Sequence, residues 1–348
     1  MKRYIGISIL SLLLLLGYLT IQNNNIIGDQ PITYDDEQEG LSKQVTIRFS
    51  HVVAENTPKG LAAQKFAELV SKKTNGKVKV EVYPNGILYS DENELEALQH
   101  GKIEMMAASF SKLTDVVPQW KVLDLPFIFE NEEQVEAVFT GPMSKQLLSM
   151  IQEKNIKGLA FWSNGFKQMT SARNPLLEPD DFHGQTFRTM PGSVLKEQFN
   201  LLDAHSVVMP FNDVFYALES REIDGQENTI SNIYTKSLYK VQDHLTLSNH
   251  GYLGYAVIVN QSFWESLPED IRLKIDEALE ETTTWNMQEA RRMNRQQLSE
   301  IKKNSDIHID ELSEAQRAKW MDAFQPLYRT VEEEVGKELM IEIKEAKK

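Results

Sequence analysis

The segment from Phe182 to Tyr234 constrains the fold more than any other stretch, because its apolar runs and chain breakers alternate as strand, helix, strand, helix. Thr186-Phe187-Arg188-Thr189-Met190 reads as a short strand stopped by Pro191-Gly192, which puts Arg188 near a strand end facing a loop. A helix from Val194 to Phe199 follows, then a strand Ser206-Val207-Val208-Met209 ended by Pro210. A second helix runs from Asn212 to Arg221, and Asp224-Gly225 turns the chain into Gln226-Glu227-Asn228. Such alternation favours a parallel sheet whose strand ends converge on a ligand crevice. At that crevice a guanidinium offers a rigid fork of donors that matches a carboxylate, and the Asn228 amide can add one more. The residues alone leave a second reading equally open, in which Arg188 pairs with surface acids.

The first part of the chain repeats the pattern. Val45-Thr46-Ile47-Arg48-Phe49-Ser50 alternates apolar and polar as a strand does, with His51 at its end. Thr57-Pro58 is an N-cap followed by proline at the first helical position, and that helix runs to Asn75-Gly76. Val78, Val80 and Val82 mark a strand closed by Tyr83-Pro84-Asn85-Gly86. A helix from Asp91 to His100 stops at Gly101, and Ile103 to Ala108 forms a third strand. Ile156 to Trp162 is another strand, and Leu245 to His250 and Tyr252 to Asn260 read as two returning ones. Pro268 to about Lys303 contains no further Pro or Gly, so it is either one very long helix or two with a break near Thr282-Thr283-Thr284. Two amphipathic helices, Ser313 to Tyr328 and Val331 to Ala346, close the chain.

At the N-terminus, Lys2 and Arg3 precede an uncharged Leu-rich run from Tyr4 to Ile21. That is the pattern of a secretory signal, and its length approaches the ~20 residues that span a bilayer. Gly17-Tyr18-Leu19-Thr20-Ile21 is too bulky for a small-x-small cleavage site, so an uncleaved anchor competes with a removed signal. Either reading exports the rest of the chain. Residues 22–44 are polar and acidic without apolar periodicity, as in a flexible linker. The remaining ~300 residues exceed one comfortable core, which implies two lobes.

Charge and composition narrow the function. A net charge of −14 argues against nucleic acid as a partner, though buried cations in a cleft can still oppose that field. The chain has no cysteine, which removes thiol catalysis, disulfides and a lipid-modified N-terminal Cys. Seven histidines lie scattered, with no His-x-x-x-His or Glu-x-x-His pair for a metal. Neither a Gly-x-Ser-x-Gly elbow nor a phosphate-cradling glycine loop occurs, and the acids Glu222 and Asp224 flank a turn as a solvated rim does. No cofactor, metal or catalytic set is expected.

Three runs in the order found here carry a resemblance: Arg188-Thr189-Met190-Pro191-Gly192-Ser193-Val194-Leu195, Phe211-Asn212-Asp213-Val214-Phe215-Tyr216-Ala217-Leu218 and Asp224-Gly225-Gln226-Glu227-Asn228. From about Val45 to the C-terminus the chain resembles the DctP-type solute-binding subunit of TRAP transporters, the tripartite, ATP-independent uptake systems for organic acids. The resemblance implies a two-lobed, periplasmic-binding-protein-like α/β fold with the ligand cleft between the lobes and one long helix spanning both. It implies lobe I from 45–164 and 254–292, and lobe II from 165–253 and 293–348. It also marks Leu123-Asp124-Leu125-Pro126-Phe127-Ile128-Phe129 as a structural apolar loop.

What the resemblance implies for the site is specific. One carboxylate docks on Arg188 with help from Asn228, Phe211 packs on the carbon skeleton, and His51 and Lys59 come from lobe I. The run Gly165-Phe166-Lys167 is similar to that of members resembling C4-dicarboxylate binders, so Lys167 is expected to hold a second carboxylate as a point charge. The implied function is an extracytoplasmic monomer that captures succinate, fumarate or malate and delivers it to membrane permease subunits. A sensor subunit that reports the same acid to a membrane kinase would use the same fold and site.

Overall fold

The computed structural model describes residues 44–151 and 155–348. The apolar run 4–21 and the linker up to residue 43 therefore lie outside the described residues. Among those described, no helix is long and apolar enough to cross a membrane. Residues Val45–Lys348 form one compact unit.

The strands are β1 (Val45–Ser50), β2 (Val78–Tyr83), β3 (Met105–Ser109), β4 (Ile156–Ser171), β5 (Thr186–Thr189), β6 (His205–Val208), β7 (Gly225–Thr229), β8 (His244–Asn260) and β9 (His308–Glu311). They make one sheet in the order β2-β1-β3-β8-β4-β7-β5-β6, with β9 beside β8. At one end β1 pairs parallel with β2 and β3; at the other β5 pairs parallel with β6 and β7. These are the two crevice-forming parallel sets that the alternating pattern predicts. Each belongs to one lobe of a two-lobed α/β fold.

The antiparallel pair β4 and β8 joins the lobes, and here the structure differs from the sequence expectation. Ile156 to Trp162 does not end as a strand but continues to Ser171, and the two expected returning strands are one, His244–Asn260. Register shifts at Gly158/Ala160, Ser163/Gly165 and Lys167/Met169 let a 16-residue strand bend without a proline or a turn to mark it. Gly165 has φ +123, and a Cβ there would lie 2.7 Å from Asn294 Nδ2. Only glycine satisfies both the backbone angle and the close approach.

The region after Pro268 is a single 36-residue helix, Glu269–Asn304, about 54 Å long at 1.5 Å per residue. Asn286 accepts from Ser163 N (2.6 Å) and donates to Ser163 O and Pro58 O. Two turns on, Asn294 donates to Asn164 O (2.7 Å) and accepts from Ser231 N (2.9 Å). One helix thus ties the β1 side, the crossing strand and the β7 side together. The final pair of helices is instead three, Glu314–Ala323, Gln325–Val335 and Lys337–Ala346, because Phe324 caps the first and Gly336 (φ +91) breaks the second.

Packing follows the strand alternation. On one face Phe49 stacks on Trp162 (5.7 Å between ring centroids) under the helix Pro58–Lys73; on the other Phe110 meets Trp120, Phe139 and Phe161 edge to face. Phe187 stacks on Phe199 (4.9 Å) beside Phe182 and Trp320 in the second lobe. In the apolar loop Leu123, Leu125, Phe127, Ile128 and Phe129 are all buried, and Phe127 N donates to His250 O. The loop seals the cores.

Candidate functional site

The ends of the two parallel sets face one another across a cleft. Its lining includes Val52, Val53 and Lys59 after β1, Asp91 from the turn after β2, Ser109 and Lys112 at the end of β3, and Leu253 and Tyr255 of β8. The second lobe supplies Arg188 and Met190 at the end of β5, Phe211 after β6, Asn228 of β7 and Asn232 beyond it.

Arg188 is 3% exposed. Its Nε donates to Met209 O (3.1 Å), and its guanidinium lies 5.7 Å from the Phe211 ring centroid. Among the described residues neither terminal guanidinium nitrogen makes a protein hydrogen bond. The backbone therefore holds the fork by its stem and leaves the two-pronged end without a protein hydrogen bond at the cleft lining. Burial lowers its pKa to about 10, with Glu227 and Tyr255 opposing, so it stays charged at neutral pH.

Asn228 uses its Oδ1 for Asn232 Nδ2 (2.7 Å) and Thr229 N (3.1 Å), which leaves its Nδ2 as the donor available to the cleft. Phe211 is an apolar wall between two cations, with Lys236 Nζ 5.4 Å from its ring centroid. Lys59 is buried: its Nζ donates to Ala107 O (3.0 Å) and sits 3.8 Å from the Tyr255 ring centroid. Desolvation lowers the Lys59 pKa to about 7, opposed by Glu94, whose own carboxyl is raised to about 7 by burial. Burial also pushes the Tyr255 hydroxyl up, so it stays a neutral group in the cleft.

Two expected contacts are placed elsewhere. Lys167 is 1% exposed and outside the cleft lining; its Nζ lies 2.6 Å from Glu227 Oε1. Glu227 Oε2 in turn meets His250 Nε2 (2.8 Å) and Gln198 Nε2 (3.0 Å). The reason is strand parity. Lys167 pairs with Thr229 and Gln168 with Asn228, so Lys167 shares a face with Thr229 and Glu227 while Asn228 points to the other. A lysine on the Glu227 face cannot also serve the Asn228 face. His51 is fully buried and likewise outside the lining. Its N–H and carbonyl organise the turn, bonding to Tyr83 O and Gly86 N (both 3.0 Å). Desolvation, then the nearby Lys59, lower its pKa to about 3, with the Val53 backbone opposing, so the ring is neutral.

The sequence reading missed Asp91 and Lys112, which form an ion pair, and Asp91 Oδ2 also accepts from Phe211 N (2.9 Å) across the cleft. The strand-end rule that marks Arg188 near the end of β5 extends to Lys112, three residues past the end of β3 at Ser109. Asp91 carried no such signal: it reads as a helix start, but the helix begins at Glu94 and leaves Asp91 in the preceding turn. A second cross-cleft bond runs from Asn212 Nδ2 to Asn85 O (3.1 Å), with Lys236 Nζ holding Asn212 Oδ1 (2.8 Å). Among the described residues no His, Asp, Glu cluster suited to a metal occurs.

Comparison with known proteins places these features. Residues 49–334 match the family model DctP, bacterial extracellular solute-binding protein, family 7. The chain is 50% identical over 321 residues to the C4-dicarboxylate-binding protein DctB of Bacillus subtilis (strain 168), covering 92% of each. It is 45% identical over 307 residues to the C4-dicarboxylate-binding periplasmic protein DctP of Rhodobacter capsulatus, covering 88% of this chain and 92% of that one. Among solved structures, a TRAP periplasmic solute-binding protein from Shewanella oneidensis with bound succinate superposes with a TM-score of 0.84 at 41% identity, over 88% of this chain and all of that one (100%). One from Pseudomonas aeruginosa PAO1 with bound L-malate gives 0.79 at 36% identity, over 82% and 99%. With the family model matching residues 49–334 and relatives at 45–50% identity over most of its length, the chain belongs to the DctP family of TRAP-type extracellular solute-binding proteins.

Proposed function

We propose that the protein captures a C4-dicarboxylate such as succinate, fumarate or malate outside the cytoplasm and delivers it to TRAP membrane permease subunits. The observation that carries this reading is the charge of the cleft lining, in which Lys59, Lys112 and Arg188 face a single carboxylate, Asp91. Three cations against one anion suit a ligand with two negative charges, and burying them unpaired would cost several kcal/mol each. The names of the Bacillus and Rhodobacter relatives, and the succinate and malate in the Shewanella and Pseudomonas structures, point to the same ligand class.

In this mechanism one ligand carboxylate takes the open end of Arg188 and the Asn228 donor, while Phe211 covers the carbon chain. The other carboxylate takes Lys59 from lobe I, the role that Lys167 leaves. Bringing the lobes together excludes water and strengthens each contact. The lobes in this reading comprise 45–164 with 254–292, and 165–253 with 293–348. Micromolar affinity, about −8 kcal/mol, is within reach of one bidentate pair, a second cation and several hydrogen bonds.

The site binds without turnover and acts as a monomer, and residues 4–21 hold the protein to the membrane with 22–44 as tether. N-terminal sequencing of exported protein that begins near residue 22 would show a cleaved signal instead. A calorimetric panel tests the ligand class: diacids of four carbons are expected to bind, and propionate and lactate at least about tenfold more weakly. Equal binding of lactate and succinate would overturn it. Overnight incubation with mass spectrometry, returning the ligand unchanged, checks the absence of turnover.

A further inference from the structure

Asp91 is the one acidic side chain in a lining that otherwise carries Lys59, Lys112, Arg188 and neutral groups. Its two oxygens are both committed: one pairs with Lys112, and the other accepts from Phe211 N at 2.9 Å. Asp91 and Lys112 are nearly buried, with side chains 8% and 12% exposed. Lys112 needs that anion, because burial and the fields of Lys59 and Arg188 all push its pKa down. Glu94 lies outside that lining, and burial raises its carboxyl pKa to about 7, with the nearby Lys59 opposing. With Lys112 paired to Asp91, the cations of the lining left without a carboxylate partner in that lining are Lys59 and Arg188.

We propose that Asp91 is a specificity-determining residue that limits the ligand to two negative charges, by occupying Lys112 inside the cleft and, through Phe211 N, by doing so where the lobes meet. The assignment rests on the dicarboxylate reading given above. Asp91 fills with a protein carboxylate the position where a third ligand anion would otherwise dock. A larger or more highly charged acid then meets both a filled site and a like charge, and like-charge juxtaposition is a strong discriminator.

The probe is 3-phosphonopropionate, a succinate analogue in which one carboxylate is replaced by a phosphonate that carries part of a further charge at about pH 7.5 and can lose its remaining proton on binding a free cation. Calorimetry on the folded full-length protein compares it with succinate in wild type, Asp91→Asn, Lys112→Met and the double variant. Asp91→Asn keeps an oxygen for Phe211 N while releasing Lys112. It is expected to move the ratio of the two dissociation constants at least about tenfold toward the phosphonate. Lys112→Met leaves Asp91 uncompensated and is expected to weaken succinate at least about tenfold. Adding Asp91→Asn to Lys112→Met should restore succinate binding and the wild-type ratio. Wild type that binds succinate, with an Asp91→Asn ratio unchanged or equal to that of the double variant, overturns the role of Asp91 alone. Should Asp91→Asn not fold, Lys112→Met with wild-type succinate affinity overturns it equally. Wild type that binds no diacid overturns the ligand class and this assignment with it.

Discussion

The Lys167 ammonium and Glu227 Oε1 lie 2.6 Å apart with both side chains 1% exposed, so lobe-crossing strand and cleft strand are joined by a dry ion pair. Lys167→Met would leave Glu227 buried with only His250 and Gln198 beside it. Breaking such a pair typically costs ~3–5 kcal/mol, so a drop of that order in unfolding free energy is expected. The preference for diacids over monoacids should persist, because Lys167 is not in the cleft. Chemical denaturation and a ligand panel on the same variant check both parts; a lost diacid preference with unchanged stability would return Lys167 to the site.

Arg188→Lys keeps the charge but loses the fork. The Nε bond to Met209 O also goes, so the remaining ammonium is no longer aimed. An affinity loss of at least about tenfold for the best diacid is expected, since truncating one partner of a buried charge pair costs ~2–5 kcal/mol. Calorimetry at wild-type affinity would remove Arg188 from the proposed binding role.

Binding should strengthen as pH falls through about 7, the value to which desolvation lowers Lys59 and raises Glu94. A bound dianion favours protonated Lys59 and neutral Glu94, so the complex takes up a proton and lower pH favours it. For fumarate, doubly ionised across the range, affinity is expected to rise roughly three- to tenfold from pH 8 to pH 6. Calorimetry in buffers of different ionisation heat measures the uptake directly. Glu94→Gln should flatten the profile.

Acid stability has the opposite sign. Lys167 and His250 outweigh the burial of Glu227 and hold its carboxyl well below its ordinary 4.5. That contribution is fully present above about pH 4.5 and is lost as pH falls from there through the folded value. Glu227→Gln is expected to be less stable at neutral pH and to lose stability less steeply below pH ~4.5. Thermal melts from pH 7 to 3 check the difference in slope.

The local grammar of the chain was legible without a structure wherever periodicity and punctuation coincide. Val78, Val80 and Val82 alternate into β2, Thr57-Pro58 starts a helix in which Thr57 accepts from Gly60 N, and Phe182 to Tyr234 folds into parallel strands with Arg188 at an end. These features depend on neighbours a few residues away, and such neighbours are visible in one dimension. Tertiary structure decided what depends on partners far apart. Whether Lys167 faces ligand or Glu227 is a question of pairing register between β4 and β7, sixty positions apart, where one residue of slip exchanges the faces. Asp91 looked like a helix start because propensity is local, and it became a cleft residue only when Phe211, 120 positions later, brought its backbone N–H to it. Bulges carry β4 and β8 through both lobes with no breaker to announce them, so the sequence determined which segments form strands and that Arg188 stands near a strand end, while the pairing of those strands chose which charges face the cleft.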